Sequence, residues 1–316
     1  MKENLKINKK FAGEVLAKVT RGDLVESLHL GHLIVLNADG STYLSKGSPE
    51  LPIYPRSAIK SLQAAAMLKA GLIVKDDELA IICASHSGSQ SHIDLVTKML
   101  TSRDISISDL KNAVDKPLGE KEKFSWGEKP ASQLAQNCSG KHAGMLITCQ
   151  QNSWDMKTYL DLDHPLQFAI KNEIEELSGE KVSATSVDGC GAPLFAISLI
   201  GLAKATSNLV KSNDDLYQQI VSACTKYPEL VAGEGRLTTR MMQAVSGLFM
   251  KEGAEGVQVC AFRDGRVIAI KIIDGSWRPV APIIMEIFKG WGVEMPDESV
   301  KIYGGGGVIG EVIANI

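Results

Sequence analysis

Ser57 and Lys60 stand three residues apart in the run Tyr54-Pro55-Arg56-Ser57-Ala58-Ile59-Lys60, a Ser-x-x-Lys step. Apolar residues follow (Ala64, Ala65, Ala66, Met67, Leu68) up to Gly71, a pattern that predicts a buried helix with a glycine stop. Three residues apart on a helix is one face, so the Lys60 amine is expected to reach the Ser57 hydroxyl. A serine is a poor nucleophile until a neighbour takes its proton. A lysine does so only when burial or nearby positive charge lowers its pKa. The first turn of a helix also aims N–H groups at developing negative charge. Taken alone the step is common, and a capping serine beside a surface lysine accounts for it equally well.

Four further motifs add chemistry. Ser85-His86-Ser87-Gly88 follows the apolar, strand-like run 79–84 and precedes a helix, where a hydroxyl and an imidazole can relay a proton or hold a carboxylate. Asn137-Cys138-Ser139-Gly140-Lys141-His142 gathers polar and reactive groups around one glycine, but it lacks the spacing of a phosphate loop and the Ser/Thr after its lysine. Asp188-Gly189-Cys190-Gly191-Ala192-Pro193 is a tight turn that needs its glycines but not its carboxylate and thiol. Lys251-Glu252-Gly253 precedes a strand expected at 256, where serine acyl enzymes place a Lys-Thr-Gly triad. Its lysine would supply positive field for a substrate carboxylate and hold the first lysine's pKa down.

The elements that must position these groups are strands, then helices, then strands. Residues 13–20 and 32–37 predict an N-terminal hairpin. Residues 256–263 and 266–273 alternate around Asp264-Gly265 and predict a second. Helical patterns cover 57–70, 90–102, 132–151, 164–178, 192–205, 214–226, 238–250 and 279–290, and the glycine run 304–307 reads as a tight loop. The expected fold class is α/β (α+β): an antiparallel sheet built from both chain ends, about 10–50 and 250–316, with packed helices and a helical part at about 88–240. With no repeat or linker, one domain is expected over residues 1–316. A net charge of −3 without a basic run argues against nucleic acid and anionic membranes. A polar start and no long apolar stretch predict a cytoplasmic protein. Six scattered cysteines then read as thiols or ligands.

Together, the strings at 56–63, 85–88, 137–142, His164-Pro165-Leu166-Gln167 and 188–193 resemble the asparaginase II family, the Rhizobium-type asparaginases. The resemblance runs in order from about residue 20 to the C-terminus. It implies a serine β-lactamase/penicillin-binding-protein-like fold and hydrolysis of L-asparagine to L-aspartate and ammonia. Ser57 is then the expected nucleophile with Lys60 as its base, and Ser85 near Lys251 a second Ser–Lys pair, with Ser87 an alternative to Ser85. Backbone N–H groups at the start of the 57–70 helix are expected to form part of the oxyanion hole. His86, His142 and Asp188 are expected at the substrate. The resemblance also marks Cys138, Lys141 and Cys190 as a metal site, for zinc that acylation does not require; Lys141 would have to be neutral to ligate. Ser89 and Ser61 depart from the glutamate and proline that family members often carry there. A homodimer is expected. The alternatives are a serine-dependent glutaminase, a β-lactam-processing enzyme (no Ser-Asp-Asn string supports it), a cysteine hydrolase using Cys138 with His142, and a non-catalytic amino-acid-binding protein.

Overall fold

The computed structural model describes residues 9–316. The chain opens with strands β1 (Glu14–Arg21), β2 (Leu24–Leu36), β3 (Thr42–Lys46) and the short β4 (Pro52–Ile53). A 3₁₀ turn, Arg56–Ile59, leads into α1 (Lys60–Lys69), followed by α2 (Asp76–Ile82), α3 (Gln90–Thr101), α4 (Glu120–Trp126), α5 (Ser139–Gln151) and α6 (Pro165–Ser178). Strands β5 (Ala184–Val187) and β6 (Pro193–Ser198) precede α7 (Leu199–Lys211), α8 (Asp215–Lys226), α9 (Pro228–Val231) and α10 (Leu237–Ala244). The last part holds β7 (Leu248–Gly253), β8 (Val257–Phe262), β9 (Val267–Ile272), α11 (Val280–Gly290), β10 (Lys301–Gly304) and β11 (Gly307–Ala314).

The main sheet is antiparallel in the order β10-β11-β1-β2-β9-β8-β7, with β3 also paired to β2. The fold class is therefore the expected one, a mixed α/β protein with a sheet drawn from both chain ends. The seam is β2 on β9, where His32 stands opposite Lys271 and Leu33 opposite Ile270. A small second sheet, β4-β6-β5, lies outside it. Helix α7 packs along β9 and β8, and α11 packs along β11 and β1 with Phe288 against Phe262. Every residue of β7, β8 and β9 is buried, so the period-two alternation expected of this hairpin does not separate a wet face from a dry one. At the other end of the sheet Leu28 and Ile313, both registered on Lys18, remain exposed.

Several expected boundaries move, each for a physical reason. The run 79–84 is mostly helix rather than strand: α2 is buried from Glu78 to Ile82, so no helical period survives in its sequence. Its start is marked instead by Asp76, Asp77 and Glu78, with the Glu78 carboxylate accepting from the Lys75 N–H at 3.0 Å. The pattern at 192–205 divides at Ser198, whose hydroxyl accepts from the Gly201 N–H at 2.8 Å and caps α7 after β6. The pattern at 238–250 divides likewise: α10 ends at Ala244 and Gly247, at φ 73°, turns the chain into β7. Lys251 thus lies within an edge strand of the main sheet and not ahead of one. The first hairpin turns at Gly22-Asp23 into a 13-residue β2, and the glycine run near the C-terminus is the turn joining β10 to β11.

Candidate active site

Arg56, directly before Ser57, has φ 53°, a left-handed conformation that costs a non-glycine residue about 1–3 kcal/mol. What holds it there is the Arg56 Nε donating to Asp188 Oδ1 at 2.7 Å, with the Gly189 N–H on the same oxygen at 2.8 Å. Burial alone would raise the Asp188 pKa, but the charges of Lys141 and Arg56 outweigh it and keep the carboxyl below its ordinary range. Ser57 follows on the 3₁₀ turn, nearly buried, and neither its hydroxyl nor its N–H takes a hydrogen-bond partner among the described residues. Of the first-turn amides expected to meet an oxyanion, that of Ala58 is already bonded to the Pro55 carbonyl at 3.1 Å and that of Lys60 to the Ser57 carbonyl. The Ser57 N–H itself has no backbone partner among the described residues.

Strand β7 packs against the same turn through Gly253. A Cβ there would drive into the Pro55 carbonyl oxygen and stand 3.0 Å from the Ala58 nitrogen, so only glycine lets the strand pass. Gly253→Ala should displace the Ser57 turn and lower turnover at least ~10-fold, since small misplacements of reacting groups are costly. Steady-state ammonia release is the measurement, and a wild-type rate would show that the contact does not set the nucleophile.

Lys60 is fully buried and does not turn to Ser57. Its ammonium donates to the Ala84 carbonyl, to Ser85 Oγ at 3.2 Å and to Cys138 Sγ at 3.1 Å. The expected Ser57–Lys60 hydrogen bond is therefore replaced by a Lys60–Ser85 bond, and Ser85 pairs with Lys60 instead of Lys251. The reason lies in α5. A Cβ on Gly140 would collide with the Ile81 carbonyl, and one on Gly144 would stand 2.8 Å from the Ile82 side chain. These two glycines let α5 lie directly on α2, which brings Cys138 beneath Ala84-Ser85, where three acceptors outcompete one serine. Lys251, also buried, donates to the Glu252 carbonyl at 2.9 Å. Burial first, then the positive charges of Lys60 and Arg236, push its pKa well below the ordinary lysine value.

The two expected substrate histidines are both fully enclosed. His86 bonds Ser139 Oγ at 2.8 Å through Nε2 and stacks on His92, while His142 bonds the Tyr159 hydroxyl at 2.7 Å through Nδ1. Burial holds both well below the ordinary histidine pKa, hence neutral. Contact with a substrate from these positions would take a rearrangement; here they brace the floor of the site. Asp188 alone of the three is partly exposed.

Cys138 and Cys190 come together with Ala192 and Leu160 in one small cluster. The neighbouring Cys190 sulfur and burial push the Cys138 thiol up to about 12. The Cys138 hydrogen bond, with help from Lys141, draws Cys190 down to about 5 against its burial. Lys141 Nζ lies 3.2 Å from Cys190 Sγ, and the two sulfurs and Asp188 raise its pKa against burial, so the pair is an ammonium facing a thiolate. Cys138, Cys190 and Lys141 are the residues that would hold a zinc ion, two of them through sulfur, and Lys141 could ligate only once its proton is lost. Among the described residues no group of three His, Cys, Asp or Glu side chains offers another metal site. The Cys138–His142 hydrolase fails on geometry: the imidazole is turned to Tyr159, and the sulfur is a protonated thiol facing Lys60 and Cys190. None of the six cysteines is in a disulfide.

Arg236, just ahead of α10, stood outside the sequence expectations. Its guanidinium bonds the Ser85 carbonyl at 2.8 Å and the Glu252 carboxylate. Its one signal in the sequence is Gly233-Glu234-Gly235, two glycines at φ 141° and 73° that fold the chain back onto Ser87. On the far side of Arg56 a cleft of about 570 Å³ opens between Tyr54, Val187, Leu194, Glu255 and Lys271.

Ser57 on a strained turn, with the buried Lys60 bonded to Ser85 and a second buried lysine in β7, is an arrangement suited to a hydrolase of the amidohydrolase type. The sequence profile of the family described as L-asparaginase II matches residues 17–304, and the chain belongs to that family. No curated protein matches the chain. Among solved structures it is similar to one described as a candidate beta-lactamase from Bacteroides dorei DSM 17855, at 12% identity and a TM-score of 0.44, over 77% of this chain and 84% of that one. Among the described residues no helix is long and apolar enough to cross a membrane.

Proposed function

We propose that this chain hydrolyses the side-chain amide of L-asparagine to L-aspartate and ammonia through an acyl-enzyme on Ser57. The observation that carries the reading is the placing of Lys60 on Ser85, with a second buried lysine, Lys251, whose pKa burial and the charges of Lys60 and Arg236 lower. Ser57 Oγ attacks the amide carbon while its proton passes into this Lys–Ser group, with Lys251 the amine best able to accept one. The Ser57 N–H faces the developing oxyanion. Lys60–Ser85 returns the proton to the departing nitrogen as the carbon–nitrogen bond breaks. Water then attacks the ester with proton removal by the same group, releasing aspartate and restoring the Ser57 hydroxyl. Asp188 and Arg56, a fixed pair of opposite charges at the turn, are the groups suited to the ammonium and carboxylate of an amino acid. Purified protein should release ammonia from asparagine faster than from glutamine and leave β-lactams intact. Release from glutamine alone would make it a glutaminase, and release from no amide would leave the amino-acid-binding reading.

Zinc enters as a proposed cofactor held by Cys138, Cys190 and neutral Lys141. Bound there, it would supply a fixed positive charge beside the site. Metal should load only as the thiols and Lys141 lose protons, so occupancy falls with pH. A chelator should raise KM while changing Tm little. Protein prepared without chelator that carries no metal by elemental analysis would end the proposal. Cytoplasmic location and a homodimer are proposed alongside, the latter checked by light scattering.

A further inference from the structure

We infer that Arg236 is a positioning residue that locks the Ser85 loop to strand β7, and so sets Ser85 in place on Lys60 with Lys251 beside them. The inference rests on the proposed roles of Ser57, Ser85 and the two lysines, and extends them to a residue outside the reacting group.

The loop 85–87 has no secondary structure of its own, yet it is held like a strand. The Ser85 N–H donates to the Val231 carbonyl at 3.0 Å and the Ser87 N–H to the Ala232 carbonyl at 2.7 Å. The segment 231–236 is therefore its partner. Gly233 makes that approach possible, because a Cβ there would collide with Ser87 Oγ. Arg236 closes the arrangement. One guanidinium nitrogen donates to the Ser85 carbonyl at 2.8 Å and the Ala232 carbonyl at 3.3 Å, and the other reaches the Glu252 carboxylate. Glu252 also accepts from Thr238 Oγ1 at 3.3 Å, and its backbone carbonyl accepts from the Lys251 amine at 2.9 Å.

A single planar group thus ties the backbone of one reacting serine to the residue next to one reacting lysine. Its fork of donors is suited to this, whereas a lysine offers a point charge that cannot hold both ends in one geometry. The guanidinium is largely buried, so the link works in a medium where electrostatic contacts are strong. Neither Arg236 nor Glu252 is needed as a proton carrier; their effect on chemistry passes through Ser85.

The test uses the full-length protein with Arg236→Lys, Glu252→Gln and the double variant Arg236→Ala/Glu252→Gln. The double variant is the informative one, because Arg236→Ala alone leaves a carboxylate stranded in a buried site and risks misfolding. Hydrogen–deuterium exchange of the peptide spanning 84–88 and steady-state kinetics with asparagine are both read. In the double variant that peptide should exchange at least ~10-fold faster while peptides of α1 and β8 keep wild-type protection. Its kcat should fall at least ~10-fold with KM within about twofold, and Arg236→Lys should recover part of the loss. Unchanged exchange at 84–88, or faster exchange with wild-type kcat, would overturn the inference. If the wild type releases no ammonia from any amide, the proposed function fails and the exchange measurement alone decides the clamp.

Discussion

Ser57→Ala should abolish ammonia release, cutting the rate by roughly 10³-fold or more, in line with the loss of the nucleophile in other acyl enzymes. The fold should hardly notice. The Ser57 hydroxyl makes no hydrogen bond among the described residues, and the turn beneath it is held by Arg56–Asp188 and by the packing of Gly253. Removing a hydroxyl that has no partner leaves no donor or acceptor stranded, so Tm should stay within a few degrees of wild type. Lys60→Ala should be equally inactive but less stable, because it strips the buried Ala84 carbonyl and Ser85 hydroxyl of their donor. A Ser57→Ala protein retaining more than about a tenth of the wild-type rate would remove Ser57 from the mechanism.

Lys251→Met should cost activity and increase stability. Turnover should drop roughly 10²–10⁴-fold, the usual contribution of a general base. At neutral pH, however, the variant should be more stable by about 1–3 kcal/mol, because a buried amine facing Lys60 and Arg236 gives way to an apolar chain of similar length. The advantage depends on pH. The folded protein gives up the Lys251 proton where the unfolded chain still holds its own, so unfolding takes up a proton between the lowered pKa and about 10.4. Wild-type stability therefore climbs with pH through that window, and the Met variant lacks this climb. Urea midpoints of the two proteins should be farthest apart below the window and converge toward pH 10. A variant less stable than wild type at pH 7, or a gap that widens with pH, would mean that Lys251 is not held neutral.

The sheet from both chain ends and the helices at 57–70, 90–102, 164–178 and 214–226 were legible in residue order, because turns, caps and amphipathic faces are local signals; the closeness of Cys138 to Cys190 was implied by the family resemblance alone. The partner of Lys60 was not. Spacing puts it on the face of Ser57, but its acceptors come from a loop and from α5, and the approach of α5 to α2 through Gly140 and Gly144 is a tertiary event. Elements buried on all sides misled in the same way: α2 and β6 show unbroken apolar runs, which carry no period to separate helix from strand. His86 and His142 were expected at the substrate because an imidazole beside a reactive motif has the right chemistry. Only the surrounding packing reveals that they are walled in.

The β2–β9 seam bears on how the protein is made. Val35 pairs with nearby Leu44 of β3 on one side, but on the other it must find Ile268, more than two hundred residues on. At 5–20 residues per second a ribosome needs about 10–40 s to pass from Ser57 to Lys251. Throughout that interval the nascent chain carries Ser57 but not β7, the strand that packs against its turn. Pairing of such long range is slow, and apolar β2 stays without β9 until then. Such a chain is a natural client for chaperones during synthesis.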